Sequence, residues 1–355
     1  MKSKARISLT DTRKLLTRSL HVSVATIVGI LLGSAITTTP AVAAQKHYTL
    51  RVATFGAASA VQVASFVPLF TKLVEDGSHG QISVQSFPSG SLVGEHAVPS
   101  SVENDVADIS LTVIGTWLST VPLSGIVDTV FFSPSSAKFE SLIGSGTTLF
   151  KALDAAMQVR GVKLLAALDN GSPVIVSNAP LTMPSDLRGK TVRVYDKPTG
   201  ELVKALGGAP STITVSDVYA ALQRGTVSAA LGGLEGAFGL REYEVSKYLL
   251  DANGLFGLDV NGYVMNLHAL KSLPPDLQKV VLSAATQAGK VTNAAMIKSH
   301  VKELGEMRQH GMQVTVLKPG TREYLAFRNA LASLSKSQEP QYPASLVHDI
   351  VIGEQ

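Results

Sequence analysis

The 355-residue sequence contains no cysteine. That removes disulfides, a thiol nucleophile, iron–sulfur ligation and any cysteine-based zinc site. Charge is scarce as well, at 16% of residues against 45% hydrophobic, and mean hydropathy is +0.23. A disordered chain needs the opposite balance. The 30 glycines and 16 prolines are near average and follow no period, which excludes collagen-like sequence. After residue 44 there is no long apolar run, so the rest is expected to be soluble. No repeat of fixed period is visible.

Catalytic signatures are also missing. The eight histidines (21, 47, 79, 96, 268, 300, 310, 348) are scattered, and none forms H-E-x-x-H or another close metal spacing. There is no G-x-S-x-G elbow and no P-loop. Ser135 to Lys138 matches S-x-x-K without the companion motifs. Gly144-Ser145-Gly146 begins a G-x-G-x-x-G, but Leu149 stands where the third small residue belongs. An enzyme is not expected.

The first 44 residues read as a secretory signal peptide. A basic segment over 1–21 precedes the apolar stretch 22–36, then Pro40 and the small-residue run Ala41-Val42-Ala43-Ala44. About 15 apolar residues fall short of the roughly 20 of a spanning helix; the alternative is an uncleaved anchor. The leader also explains the overall charge of +4. It holds six basic side chains against Asp11 alone, which leaves 25 basic and 26 acidic over 45–355. A chain without a basic folded part is not expected to bind nucleic acid.

Over 48–54 the residues alternate and are β-rich, a first strand; 81–87 is a second. Between them, 58–75 has helical spacing, with Val61, Ala64, Phe66, Leu69, Phe70 and Leu73 on one face. This β-α-β start predicts a parallel sheet with a ligand site at its carboxyl ends. Further strands are expected at 109–113, 162–168, 191–195 and 311–317. Helices are expected at 100–106, 138–159, 200–206, 216–224 (capped by Ser216), 274–306 and 321–335. Regular alternation without a linker predicts two lobes that exchange strands.

From 187 to 248 the sequence becomes specific. Leu187, Gly189, Thr191 and Arg193 fit L-k-G-x-K-x-R-v. Gly208-Ala209-Pro210 fits a compressed G-A-x-P. Val218-Tyr219, Ala221-Leu222-Gln223, Gly225 and Val227 fit a third segment, and Tyr243-Glu244-Val245, Lys247 and Tyr248 a fourth. Together they resemble the DctP-type substrate-binding proteins of tripartite ATP-independent periplasmic (TRAP) transporters. Weaker matches at 48–53, 87–95, 107–108 and 273–278 extend the resemblance over nearly the whole chain after the leader.

The resemblance implies an α/β, two-lobed periplasmic-binding-protein-like clamshell with strand exchange and long connecting helices. It implies lobe one at 45–170 plus 259–298, and lobe two at 171–258 plus 299–355. The protein would be periplasmic, capture a small organic acid and deliver it to the membrane permease subunits of a TRAP transporter. No cofactor is implied, and no acidic cluster in the sequence points to a bound cation. The carboxylate would be held by Arg193, whose guanidinium matches both oxygens; the alternative is an ion pair with Asp196 or another acid.

Two positions depart from the family. In Asn170-Gly171-Ser172-Pro173, Pro173 replaces a second arginine. In 228–233, Gly232 replaces a ligand-binding asparagine. Neither offers a side-chain donor. One anchor and small residues at Ala229, Ala230, Gly232 and Gly233 predict a monocarboxylate with a larger or more apolar body than a C4-dicarboxylate. Asn170 stands beside the lost arginine, and Trp117, Phe131, Phe132 and Tyr195 are candidate walls; core packing is the alternative for each aromatic. Tyr219 is either core or pocket. A receptor feeding a signalling protein, or a secreted enzyme of similar fold, are the competing readings.

Overall fold

The structure is a computed structural model that describes residues 46–132 and 136–351. The leader lies outside the described residues. Two sheets organise the chain. The first has the order β2-β1-β3-β10-β4, built from β1 (Tyr48–Ala53), β2 (Ile82–Phe87), β3 (Ile109–Val113), β4 (Val162–Asp169) and β10 (Val260–Asn266). The second has the order β11-β9-β5-β8-β6-β7, from β5 (Val174–Ser177), β6 (Thr191–Val194), β7 (Ala209–Thr212), β8 (Ala229–Gly232), β9 (Tyr248–Asp251) and β11 (Gln313–Val316).

Both sheets are mixed: β1 lies parallel between β2 and β3, and β6 parallel between β7 and β8, while β5 is antiparallel to β8 and β9. Each sheet also holds a strand that the chain adds after visiting the other. Strand β10 returns to the first sheet antiparallel to β3 and β4. Strand β11 joins the second beside β9, after the helix Pro275–Gln309. The result is a two-lobed α/β fold with exchanged strands, as expected. The chain passes between the sheets at 170–173, at 252–259 and along that 35-residue helix, which is about 50 Å long at 1.5 Å per residue.

Some elements differ from expectation. Helix Val61–Gly77 buries Val63, Phe66, Val67, Phe70 and Val74, whereas Ala64 is exposed. The apolar stripe is therefore turned toward the valines, on the same i, i+3, i+4 logic. The stretch 138–159 is two helices, Ser136–Ile143 and Thr148–Gln158. Gly146 takes φ +93°, which breaks the first, and the Thr147 side chain accepts from Phe150 N at 3.3 Å to start the second. Ser216 caps nothing. It lies inside the 3-10 turn Val215–Asp217, and helix Val218–Gln223 has no side-chain cap.

Candidate functional site

Arg193 is the third residue of β6 and only 4% exposed. Its Nε donates to Ile213 O at 2.8 Å and its Nη1 to Leu231 O at 2.9 Å. Two backbone carbonyls thus fix the guanidinium plane. The Tyr195 ring lies beside it, its centroid 5.5 Å from Cζ, within cation–π range. Gly232 provides clearance: a Cβ there would sit 3.0 Å from Nη1. Among the described residues Nη2 has no hydrogen-bond partner, and no carboxylate lies within 4.0 Å of the guanidinium. Asp196, the expected alternative partner, makes no ion pair with it, and its Oδ2 has no hydrogen-bond partner among the described residues. Its Oδ1 accepts from Thr199 N and Oγ1, at 2.9 and 2.6 Å, capping helix Lys197–Ala205.

Arg193 borders a cavity of about 620 Å³, within the usual range for small-molecule sites. Segments that leave parallel strands at their carboxyl ends supply much of the lining: Phe55 after β1, Tyr195 after β6 and Gly233 after β8. Gln62, in the first turn of helix Val61–Gly77, and Glu95, in the turn Glu95–Ala97, face it as well. Asn170, on the crossing segment, and Asp259 and Asn261, at the return into β10, complete this part of the lining.

Burial sets the electrostatics. It pushes the Asp259 carboxyl up to about 7, against the opposing hydrogen bond from Asn170 Nδ2 at 2.6 Å. Glu235 is also raised to about 7, first by burial and then by Glu303. Its Oε1 accepts from Val61 N at 2.8 Å, an otherwise orphaned N–H at a helix start. Glu242, behind Arg193, is raised to about 7 by burial, with the arginine opposing. Glu95, Asp128 and Asp196 are raised too, burial leading in each. Burial also holds the Tyr195 phenol neutral far above its ordinary range. So the sequence reading missed a group of buried acids around the site. Among the described residues, no three of them could hold a metal ion.

The structure brings together Arg193, Tyr195 and Asn170 on the cavity, with Gly232 beside Arg193 in an adjoining recess of about 20 Å³. Four aromatics lie elsewhere. Trp117 is 0% exposed in the core of the first sheet's half, and its Nε1 donates to Thr112 Oγ1 at 2.9 Å. An indole that needs a partner for its N–H has found one away from the cavity. Phe131 and Phe132 line a separate groove of about 280 Å³ with Arg328 and Tyr342. Tyr219 is half-buried on the outside of helix Val218–Gln223, donating to Glu244 Oε2 at 3.1 Å. Pro173 is buried just before β5 and does not line the cavity. Gln62, Glu95, Glu235, Asp259 and Asn261 were not foreseen. Only Glu95 stood within a segment matched to the family, 87–95.

The profile of bacterial extracellular solute-binding protein, family 7 (DctP), matches residues 53–341. The chain belongs to this family. Its members bind solutes and are not enzymes. A 2,3-diketo-L-gulonate-binding periplasmic protein of Escherichia coli (strain K12) is 25% identical over 69% of this chain and 74% of its own. A C4-dicarboxylate-binding periplasmic protein of Rhodobacter capsulatus is 28% identical over 68% and 72%. Among solved structures, a TRAP periplasmic solute-binding protein of Shewanella oneidensis with bound succinate superposes with TM-score 0.79. It is 19% identical, covering 87% of this chain and all of the other. A Bordetella pertussis extracytoplasmic solute receptor binding pyroglutamic acid superposes with TM-score 0.77 at 17% identity, covering 86% and 98%. At these identities the structures speak for the fold. Among the described residues no helix is long and apolar enough to cross a membrane.

Proposed function

We propose that this family member is a periplasmic receptor that captures a small organic acid on Arg193 and delivers it to a TRAP-type permease. One observation supports this above the others. A buried cation borders a cavity, is fixed by two carbonyls, and keeps one nitrogen unpartnered with no ion pair among the described residues. A buried charge without a partner is costly. A carboxylate arriving from solution supplies the partner. The relatives named for 2,3-diketo-L-gulonate and C4-dicarboxylates, and the structures holding succinate and pyroglutamate, bind ligands of this class. The leader over 1–44 would export the chain, and the crossings between the sheets would let the lobes close on the ligand.

The test is a thermal-shift screen of the purified protein against organic acids, repeated with Arg193→Ala. A ligand that binds only the folded form raises the melting temperature by mass action. Stabilisation of the wild type and not of the variant supports the reading. An acid that stabilises both equally removes Arg193 from the site. Permease delivery is tested separately, by ligand uptake into vesicles holding a TRAP-type permease, with and without the protein.

A further inference from the structure

Among the described residues, six buried polar atoms of the cavity lining have no hydrogen-bond partner: five carboxyl or amide oxygens, Glu303 Oε2 among them, and one hydroxyl, that of Tyr195. The other four are Glu95 Oε2, Asn170 Oδ1, Asp259 Oδ1 and Asn261 Oδ1. All four residues line the cavity that Arg193 borders. Asn170, Asp259 and Asn261 are 6%, 6% and 2% exposed. The amide orientations are set by their partners. Asn170 Nδ2 donates to Asp259 Oδ2, and Asn261 Nδ2 donates to Gln62 Oε1 at 2.5 Å. Each amide therefore turns its nitrogen to a partner inside the protein, through one of its two N–H groups, and leaves its oxygen over.

Charge runs the same way. Glu95, Glu235 and Asp259 line the cavity with Arg193. Asp196 and Asp128 stand near, converging on Gly115: a Cβ there would lie 3.0 Å from Asp196 Oδ2 and 2.0 Å from Asp128 Oδ2. One buried cation faces several buried acids. A simple monocarboxylate would satisfy Arg193 and leave the acceptors orphaned. A dicarboxylate would add a second negative group to a wall rich in buried acids, where the Tyr195 hydroxyl is the unpartnered donor beside Arg193.

We propose that the ligand is zwitterionic, an amino-acid-like molecule whose carboxylate meets Arg193 and whose ammonium meets Asp259 and Glu95. Such a group brings up to three donors to the unpartnered oxygens and a positive charge to the acids. Burial, which raises the Asp259 carboxyl, makes a cation there the more effective in holding it ionised. This rests on the reading of Arg193 as the carboxylate anchor and names the ligand class for that site.

The test is calorimetric binding to the purified protein. The panel holds α- and ω-amino acids of three to eight carbons, each beside its desamino analogue, its hydroxy analogue and the matching dicarboxylate. The expected result is that an amine-bearing compound binds at least roughly tenfold tighter than its three analogues. Asp259→Asn, and separately the less buried Glu95→Gln, should erase that preference. Arg193→Ala should weaken the amine and desamino compounds alike. A hydroxy or dicarboxylic member that binds as well as the amine overturns the zwitterion, as does an amine preference that survives both acid variants. Undiminished binding to Arg193→Ala overturns the anchor instead, so the two failures read differently.

Discussion

Replacing Arg193 by alanine removes the partner that would meet the carboxylate and two internal hydrogen bonds, to Ile213 O and Leu231 O. Truncating one side of a buried charge-assisted pair costs about 2–5 kcal/mol. In affinity this is roughly 30-fold to several-thousand-fold. The two carbonyls also lose their donors, at about 1–3 kcal/mol each where water does not replace them. The ligand-free variant should therefore melt lower, and affinity must be measured on protein shown by circular dichroism to be folded. Arg193→Lys separates charge from geometry. Lysine keeps the charge but cannot hold Ile213 O, Leu231 O and a carboxylate in one plane. Its loss should fall between wild type and alanine. Calorimetry with the acid that most stabilises the wild type gives the three constants. Alanine binding within threefold of wild type would refute the reasoning, because a buried guanidinium that contacts the ligand cannot be that cheap to lose.

Gly232→Ala should weaken binding without unfolding the protein, since the new Cβ meets Nη1 at 3.0 Å and must shift the guanidinium; calorimetry beside a melting curve checks both halves. Gly115→Ala should destabilise strongly, because its Cβ would fall 2.0 Å from Asp128 Oδ2 among fully packed neighbours; an unchanged melting temperature contradicts this. Trp117→Phe should lower stability by about 1–3 kcal/mol, the cost of leaving Thr112 Oγ1 without the indole N–H, and leave ligand affinity unchanged; chemical denaturation and calorimetry separate the two. Finally, Glu235 sits at about 7 in the fold against 4.5 outside it. The folded state then holds the proton more tightly, so this stabilisation is complete below pH 4.5 and lost as pH rises through 7. Asp259 and Glu242 shift in the same direction. The melting temperature of the ligand-free protein should fall from pH 5 to pH 8, and less steeply in Glu235→Gln; equal slopes would show that Glu235 does not titrate in this range.

Strands β1, β2 and β6 were legible because they alternate or follow a turn, and the helix Pro275–Gln309 because its charges are spaced along an otherwise regular pattern. Strand β10 was not. All seven of its residues are buried, so it has no alternation to read. Its Gly262 looks like a breaker, yet a Cβ there would lie 2.8 Å from Ala166 O, so close packing demands the glycine. Four-residue strands such as β5 and β8 are too short for a period to show. At the site, Arg193 was legible through its motif. Glu95, Asp259 and Asn261 were not, because each is an isolated polar residue and only the fold brings them to one cavity. Trp117, Phe131 and Phe132 misled for the opposite reason: aromatic character marks a place in the interior and does not say which.

The departures from the family pattern change meaning once Arg193 is seen in place. Counted along the sequence, Gly232 is a lost anchor. In the fold it is what lets Nη1 reach Leu231 O of β8. A side chain there would press on the guanidinium, so a polar group at 232 and this orientation of Arg193 compete for the same space. With its plane fixed before the ligand arrives, Arg193 needs little further ordering on binding, which reduces the entropic cost. Discrimination then falls to the oxygens of Glu95, Asn170, Asp259 and Asn261, which have no hydrogen-bond partner among the described residues. A site built to be met by donors rejects a ligand that lacks them more strongly than it rejects one of slightly wrong size, because its buried polar atoms stay unpaired. The selectivity of this pocket should therefore follow the number and charge of the ligand's donors before it follows the ligand's bulk.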